Sequence, residues 1–423
     1  MNLNLNWKLV VEIAGGIFFV LLLIWFFFFR QTPALEPTST QPINSFDSQS
    51  TVTIPNATNA GGTKEGEGLS SPLSNQKIFK ISDGPVAGAA FIQDLRPTTT
   101  LARFVMQASG HILDLAIDSP GSVARAVSNT TIPGIARVVW EVENINGHQV
   151  AAGAALQYLD GSTIKSVLVN FPVASTSSTS SGQGSGPVRI QFLPNDAFSI
   201  AASPDGKSIA YLLKTQSGSD GYVASASGTN PKKLFSLPLS QMILSWPSAG
   251  TLLATSKAAT GVPGIALSIN AASGAVSPLL YTPGLTANAD FGFTKVVYQT
   301  VTQDSRVTFA HDTKSNLDRP LSFSPAPERC TWSRAQVSVM YCAVALIYIA
   351  PNYLDLWHQG TASMADSLVA YDLLSGQTTI IATPGGSDGG VSSDIAEIAV
   401  SADDKYLLFV KKGDRSLWGV RLY

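Results

Sequence analysis

Short apolar or alternating runs, each closed by a cluster of turn-forming residues, recur along most of this chain. The clearest example, Phe198 to Ser236, reads FSIAAS-PDGK-SIAYLLKTQ and then DGYVASA-SGTNPKK-LFS. Runs of this kind, separated by Pro, Asp, Gly, Ser and Asn, predict four antiparallel β-strands joined by hairpins. One four-stranded sheet cannot bury both of its faces, so the pattern requires neighbouring copies of itself.

The second hairpin of this unit, Ser227-Gly228, has counterparts elsewhere. Later copies follow at intervals of 46, 42 and 60 residues, at Ser273-Gly274, Ser315-Asn316 and Ser375-Gly376. Periods of about 40–45 residues with four strands each are typical of propeller blades. Two earlier turns fit the same role, Ser119-Pro120-Gly121 and Asp160-Gly161-Ser162. The hairpins therefore predict an all-β, seven-bladed propeller, counted to within one blade.

The last unit, Ile395 to Tyr423, contains only three strand-like runs. We expect the missing strand to come from KIFKIS at Lys77 to Ser82, which would close the ring and remove an exposed sheet edge. The alternative is two smaller β domains divided at the low-complexity segment Ser175 to Gly186, which we interpret as a solvated loop. A closed ring explains the truncated last unit, whereas two domains do not.

The run Ala202-Ser203-Pro204-Asp205-Gly206-Lys207, followed by Ile209-Ala210-Tyr211 and then Gly228 to Leu234, resembles the TolB-like or WD40-like propeller repeat. Ser401 to Lys405 resembles it more weakly. The resemblance implies that Pro204, Asp205 and Gly206 form a structural turn between the first two strands of a blade. It also implies a tendency to bind other proteins, and it carries no catalytic residue across. The α/β domain that precedes the propeller in TolB has no counterpart here, so TolB's own partners are not transferred.

The N-terminal part of the chain has a different pattern. Leu9 to Phe29 is apolar except for Glu12, and 21 residues at 1.5 Å each give about 32 Å, enough to cross a bilayer core of ~30 Å. We expect a single transmembrane helix. A cleaved signal peptide is the alternative, but its apolar core would be only about 7–15 residues long. Together with the repeats, such an anchor resembles membrane-anchored envelope proteins of bacteria.

These signals divide the chain into four parts: a short cytoplasmic N-terminus at residues 1–8, the membrane helix at 9–29, a flexible linker rich in Ser, Thr, Pro and Gly at 30–75, and the propeller at 76–423. Lys8 and the α-amino group lie at one end of the helix and Arg30 at the other. Under the positive-inside rule we expect the N-terminus in the cytoplasm and the propeller outside.

Composition narrows the classes of partner. Charged residues make up only 13% of the chain and hydrophobic ones 45%, which suits an all-β protein with many turns. The net charge of −2 supplies no basic field, so we expect no nucleic-acid partner. Two cysteines cannot build a four-thiolate zinc site, and we predict neither a metal nor a cofactor.

The two cysteines, Cys330 and Cys342, flank the hairpin CTWS-RAQV-SVMYC symmetrically about Gln336. In an antiparallel pair they would lie opposite each other, within disulfide reach. In an oxidising compartment they would form a bridge, worth about 3 kcal/mol for so short a loop. The alternative is two buried free thiols that pack as small apolar groups.

The segment Pro351 to Ala362 interrupts the blade spacing and carries Tyr353, Trp357 and His358. Loops at one end of a repeat ring often carry recognition, and large exposed aromatic residues anchor protein or sugar ligands. We therefore take these three residues as a candidate partner-binding loop. In the alternative, Tyr353 and Trp357 fold back to cover a blade end.

Motifs for catalysis are absent from the sequence. The histidines show no zinc-ligand spacing; they are His111, His148, His311 and His358. There is no G-x-S-x-G elbow and no Walker loop. Asp388 and Asp394 lie in a glycine-rich run, Gly385 to Asp394, but they lack the other oxygen ligands that calcium requires, and we interpret the run as a connection between the last two blades.

The leading hypothesis is therefore a binding module without enzymatic activity. It would be a membrane-anchored, extracytoplasmic propeller that acts as a protein-interaction scaffold in the cell envelope. The alternative is a propeller hydrolase, or a lectin-like sensor of glycan or peptide at the central channel. An enzyme should place a cluster of histidines or paired carboxylates on one face of the ring.

Overall fold

The strands of the repeat unit associate into separate antiparallel sheets. A computed structural model describes residues 76–93, 99–119, 121–128, 131–145, 148–171, 188–345, 350–385 and 393–423. Within these residues, 28 strands form seven four-stranded sheets. The predicted membrane helix Leu9 to Phe29 and the predicted linker at 30–75 lie outside the described residues. No helix in the described part of the chain is long and apolar enough to span a membrane.

The first six blades each use four consecutive strands. Blades 1 to 3 comprise β2 (Val86–Gln93), β3 (Thr100–Met106), β4 (Ile112–Ala116) and β5 (Arg125–Ser128); β6 (Ile135–Ile145), β7 (His148–Asp160), β8 (Thr163–Asn170) and β9 (Arg189–Phe192); and β10 (Ala197–Ala202), β11 (Ser208–Lys214), β12 (Ser219–Ser225) and β13 (Lys232–Leu237). Blades 4 to 6 comprise β14 (Met242–Ser248), β15 (Thr251–Ser256), β16 (Pro263–Asn270) and β17 (Val276–Pro283); β18 (Thr286–Ala289), β19 (Lys295–Val301), β20 (Arg306–Asp312) and β21 (Leu317–Pro320); and β22 (Cys330–Trp332), β23 (Val339–Ala345), β24 (Asp366–Asp372) and β25 (Thr378–Ala382).

The seventh blade joins the two ends of the described region. It combines β26 (Ile395–Val400), β27 (Tyr406–Lys411) and β28 (Leu417–Arg421) with β1 (Ile78–Lys80), which pairs antiparallel with β28. The first strands of adjacent blades contact one another, so they line the centre of the ring, and the fourth strands lie at its rim. The prediction of a seven-bladed propeller is confirmed by this strand pairing.

The apolar core is divided in the same way as the sheets. Seven clusters of buried side chains each lie between two neighbouring blades. In β19, Val296 belongs to the cluster shared with blade 4 and Val297 to the cluster shared with blade 6. Successive residues of a strand point to opposite faces, so a strand packed on both sides must be apolar throughout. This requirement explains the near-continuous apolar runs of the second strands.

The turns of the repeat use side chains as acceptors for the backbone. Between the third and fourth strands, the side chains of Asn270, Asp312 and Asp372 each accept hydrogen bonds from the backbone and hydroxyl of a serine three residues later. These bonds lower the pKa of Asp372 to about 2. The residue after that serine adopts positive φ, as at Gly274 with φ 74°. The turn therefore depends on local chemistry and repeats with the blades.

The Pro204-Asp205-Gly206 turn joins β10 to β11. Ser203 Oγ lies 2.5 Å from Asp205 Oδ1, and the backbone N–H of Lys207 donates to the same carboxylate. Gly206 has φ 69°, and a Cβ there would come within 2.7 Å of the Val142 carbonyl carbon in blade 2. Position 206 thus requires glycine for two reasons: the backbone is left-handed, and blade 2 approaches too closely for a side chain.

Two sequence interpretations need correction. Asp160-Gly161-Ser162 joins β7 to β8, the second and third strands of blade 2, and not the third and fourth. The hairpin was misassigned because the connection from β8 to β9 is long and contains the low-complexity segment Ser175 to Gly186. The alternative of two domains divided at that segment is also wrong, because β8 and β9 on either side of it pair in one sheet.

An aromatic side chain packs over a glycine in the closing blade. Phe79 of β1 lies opposite Gly419 of β28, and a Cβ at 419 would come within 2.4 Å of the Phe79 ring. Blade 3 has the same arrangement, with Phe235 of β13 over Gly221 of β12. The glycine leaves room for the ring to lie flat on the neighbouring strand, which buries Phe79 completely.

We predict that Phe79→Ala destabilises the propeller by about 3–5 kcal/mol, the usual range for removing a buried phenylalanine. The loss should appear first as faster amide exchange in β28, because β1 protects the edge of that strand. Phe192→Ala is the matched control: Phe192 also lies on a fourth strand but is exposed, so its replacement should change the free energy of unfolding by less than about 0.5 kcal/mol. Equal effects of the two changes would contradict this account of ring closure.

Candidate functional site

The two faces of the ring carry different connections. Because strand direction alternates, the turns between the first and second and between the third and fourth strands of every blade lie on one face, here called the turn face. The turns between the second and third strands and the connections between blades lie on the opposite face, here called the connection face. The insert of blade 6, between β23 and β24, is therefore on the connection face.

The insert forms a short helix, α1 (Tyr353–His358), over the centre of this face. Asp355 accepts a hydrogen bond of 2.9 Å from the backbone N–H of Thr260 in blade 4. Trp357 Nε1 donates to Asp394, in the connection between blades 6 and 7, at 2.6 Å. Blades 4 and 7 lie almost opposite each other in a seven-membered ring. A six-residue helix of about 9 Å that contacts both must lie near the centre, at the mouth of the channel.

A buried arginine lies beneath α1. Arg329 ends a 3-10 helix, Pro327–Arg329, and its guanidinium pairs with Asp366 and lies 3.7 Å from Asp394. It also donates to the carbonyl of Ile395 from Nε and Nη2, at 3.1 and 2.8 Å. Burial raises the pKa of Asp366 although the positive charge of Arg329 opposes the shift. This network joins the connections on both sides of blade 6, and breaking one partner would leave a buried charge.

The predicted aromatic anchor is only partly exposed. Trp357 is buried, and its indole lies between two cations, with Arg329 at 4.9 Å and the Lys412 ammonium at 4.1 Å from the ring centroid. Trp357 therefore folds back onto the blades, the alternative to an exposed anchor, and its indole bonds to Asp394. Tyr353 is half-buried and donates its hydroxyl hydrogen to the Ser363 carbonyl.

His358 is the exposed member of the three. Its Nε2 lies 2.7 Å from Glu328, and hydrogen bonding to that carboxylate raises the pKa of His358, with partial burial opposing the shift. Glu328 belongs to the connection between blades 5 and 6. His358 thus ties the end of α1 to the ring, and the insert as a whole contacts blades 4, 6 and 7.

The described part of the turn face contains a second group of candidate residues. A cavity of about 120 Å³ lies among the first strands of blades 1, 2, 6 and 7, lined by Ala90, Phe91, Val142, Gln149, Thr331, Arg334, Ile398, Ala399 and Val400. Arg334, in the β22–β23 turn, is the charged residue of this lining. Its guanidinium lies over the Phe291 ring at 3.6 Å, and no described carboxylate is within ion-pair distance of it. Phe291 and the strongly exposed Val337 lie on the same face.

Asp404 positions the Arg334 turn. It occupies the left-handed position of the β26–β27 turn, with φ 53°, where Gly206 stands in blade 3. Its carboxylate accepts hydrogen bonds from Ser333 Oγ, from the Arg334 backbone N–H at 2.9 Å and from the Tyr341 hydroxyl at 3.2 Å. The weak repeat match at Ser401 to Lys405 marks this position, but the sequence does not show what the side chain contacts.

The disulfide candidates lie in blade 6 beside the insert. Cys330 and Cys342 are register partners in β22 and β23, and their Sγ atoms form a disulfide. Cys342 is fully buried. The bridge joins the first strand of blade 6 to its second strand, next to Arg329.

Glu141 is a buried acid that the sequence analysis did not single out. It lies on β6 opposite Gly153, and a Cβ at 153 would come within 2.4 Å of Glu141 Oε2. Glu141 Oε1 has no hydrogen-bond partner among the described residues. Burial, together with the nearby charge of Glu143, raises the pKa of Glu141 to about 8. Its neighbour Val142 lines the turn-face cavity, so a neutral carboxyl lies directly behind that wall.

The remaining candidates stay apart. His111 contacts Thr131 at the surface of blade 1, and His311 lies at the rim of blade 5. The side chain of His148 and the residue Asp388 lie outside the described residues. No group of three or more His, Cys, Asp or Glu that could hold a metal occurs in the ranges described.

Comparisons with known proteins find remote structural similarities. No family model matches this chain, and no curated protein is similar to it. Similar solved structures include an oligogalacturonate lyase in complex with manganese, at 11% identity over 81% of this chain and 99% of that chain with a TM-score of 0.49. The Pan2 WD40 domain of Neurospora crassa is 12% identical over 80% and 89%, with a TM-score of 0.48. TolB from Acinetobacter baumannii is 10% identical over 79% and 78%, with a TM-score of 0.38.

The protein is thus a seven-bladed β-propeller, and its sheet topology alone establishes that class. At these identities and TM-scores the similarities carry no argument about activity.

We predict that Glu141→Gln flattens the pH dependence of stability. The folded state keeps the Glu141 proton up to a pKa of about 8, whereas the unfolded chain releases it near 4.5. Between these values the folded state binds more protons, so stability should fall as pH rises, by at most about 1.4 kcal/mol per pH unit. Glutamine stays neutral and should lose this slope.

Urea denaturation at pH 5, 6.5 and 8 would measure the effect. Glu397→Gln is the control, because Glu397 is half-exposed and paired with Arg415, and its loss should leave the slope in place. A wild-type slope retained by Glu141→Gln would show that Glu141 is ionised in the folded protein.

Proposed function

We propose that this protein is a membrane-anchored interaction scaffold whose propeller lies outside the cytoplasmic membrane, in the cell envelope. The apolar stretch Leu9 to Phe29 supports the anchor, and its flanking charges support the orientation. The anchor would hold the propeller close to membrane partners and so raise their effective concentration.

The disulfide supports the proposed location of the propeller outside the cytoplasm. Cys330 and Cys342 are the two cysteines of the chain, and both are used in one bridge. Structural disulfides persist in oxidising compartments and are rare in the cytosol, where thiols are kept reduced.

The turn-face end of the channel carries the proposed binding function. This face combines a cavity, the Arg334 guanidinium, which has no described carboxylate within ion-pair distance, and the exposed apolar side chains of Phe291 and Val337. Apolar residues beside an arginine are typical of the centre of protein interfaces. We infer that the partner is a protein that places an acidic group at Arg334. On the connection face, by contrast, α1 covers the channel mouth.

We propose that the role is not enzymatic. The lining of the turn-face cavity contains neither a histidine nor a carboxylate. Asp366, which is buried, and Asp394, which is partly buried, do lie together, but Asp366 pairs with Arg329 and Asp394 accepts a hydrogen bond from Trp357. A hydrolase at the channel would need such groups in contact with substrate.

A photo-crosslinking residue at position 337 tests the binding face. We expect it to form one reproducible adduct in intact cells, and Arg334→Ala should reduce that adduct about tenfold, as for loss of one charged interface contact. The matched control is the same probe at Leu159, which is also exposed but lies at the connection face. An adduct at 159 and none at 337 would assign binding to the other face.

Alkylation of thiols in intact cells tests the compartment. A membrane-permeant thiol reagent applied to the folded protein should label neither Cys330 nor Cys342. If the protein is first reduced and unfolded, the reagent should label both. Because Cys342 is buried, labelling must be repeated after unfolding without reductant. Two free thiols at that step would contradict an oxidised, extracytoplasmic propeller.

A further inference from the structure

A second cavity lies at the rim of the ring, between blades 4 and 5 and apart from the channel. Its volume is about 300 Å³, within the range of sites for small ligands. One wall is formed by β17 of blade 4, which contributes Leu279, Leu280 and Tyr281. The opposite wall is formed by the sheet of blade 5. Nothing in the scaffold function proposed above requires this space.

Three polar side chains of blade 5 converge on the cavity. His311 of β20 and Asp318 of β21 are register partners, and His311 Nδ1 lies 3.0 Å from Asp318 Oδ1. A carboxylate accepts, so the ring donates through Nδ1. Burial and the neighbouring charge of Asp318 raise the pKa of Tyr298 to about 12, so the phenol stays neutral and can donate to that carboxylate.

The polar groups are not fully satisfied by the protein. His311 is 3% exposed, and its Nε2 has no hydrogen-bond partner in the described parts of the chain. A buried nitrogen without a partner is costly unless a ligand or water pairs with it. Asp318 is 45% exposed, and no described lysine or arginine lies within ion-pair distance of it. The exposed Asp318 carboxylate would be complemented by a ligand rich in N–H donors.

The rest of the lining selects a class of ligand. The cavity contains no lysine or arginine, so Asp318 gives it negative character and disfavours an anion. The surface that faces the cavity is mostly polar, and Tyr281, which is 75% exposed, presents an aromatic ring at the rim. Aromatic rings beside a carboxylate attract organic cations. A metal ion is disfavoured, because no cluster of three or more candidate ligands occurs among the described residues.

We propose that the cavity between blades 4 and 5 binds a primary alkylammonium group, with Asp318 as the counter-charge and the exposed Tyr281 ring beside the alkyl chain. A free amine and a lysine side chain share this chemistry. The site lies at the rim between blades 4 and 5, apart from the channel and from Arg334, so the cavity and the scaffold surface can be tested independently.

The test is a ligand-observed NMR titration of the purified full-length protein with butylammonium. We expect saturable binding that butan-1-ol, with the same chain and no charge, does not show. Asp318→Asn should weaken binding about tenfold or more, as for the loss of a charge-assisted hydrogen bond. The matched control is Asp304→Asn, an exposed aspartate in the same blade outside the cavity, which should bind as the wild type does.

Tyr281→Ala provides a second variant that leaves the fold intact, because its ring is mostly exposed. It should weaken binding several-fold without changing Tm.

A second ligand distinguishes the two sources of the ammonium group. Nα-acetyl-lysine methylamide is titrated in place of butylammonium: tighter binding points to a lysine of a partner protein, and weaker binding points to a free amine. Equal binding of butan-1-ol, or unchanged binding by both Asp318→Asn and Tyr281→Ala, would overturn the proposal.

Discussion

Every blade of this protein needs a neighbouring blade on each face to cover its apolar side chains. Blades 7 and 1 cover each other because the ring is closed, and the pairing of β1 with β28 completes the last blade. Each four-stranded sheet contributes side chains to two apolar clusters, one on either side. An open ring would expose the last of these clusters together with a sheet edge. Phe79 packed over Gly419 closes the outer edge, and Arg415 strengthens the junction by donating to the carbonyls of Val86 and Ala87 in blade 1. The stability of the ring is therefore shared among all blades but is most sensitive at this one junction.

The ring makes the two ends of the channel chemically different. On the connection face, α1 and the residues beneath it form a buried ionic network in which Trp357 lies between Arg329 and Lys412. Such a network requires a fixed arrangement of its charges, because a displaced partner would leave a buried charge uncompensated. On the turn face, Asp404 accepts a hydrogen bond from the backbone N–H of Arg334 and holds that backbone in place. A partner would therefore meet the positioned guanidinium of Arg334 at the turn face and the helix α1 at the connection face.

The repeat also provides positions at which new chemistry can arise without loss of the fold. Gly206 and Asp404 occupy the same place in their turns, yet one permits close approach of blade 2 and the other bonds to three groups of blade 6. Gly153 similarly makes room for Glu141. The rim cavity arises where β17 and the sheet of blade 5 leave space around His311 and Asp318. In each case the backbone pattern is conventional, and the side chain placed on it is specific to one blade.

The sequence by itself determined the blades and their turns, because hairpin chemistry is local: Pro204-Asp205-Gly206 and the Asx turn at Asp312 depend on residues a few positions apart. It misassigned Asp160-Gly161-Ser162, since a long connection in blade 2 breaks the spacing on which the count depended. Only the tertiary structure decided that Trp357 is buried, that burial raises the pKa of Glu141 and that Arg334 lies over Phe291. These facts depend on contacts between blades, and a periodic sequence does not specify which side chains of neighbouring blades face each other, or how much water remains between them.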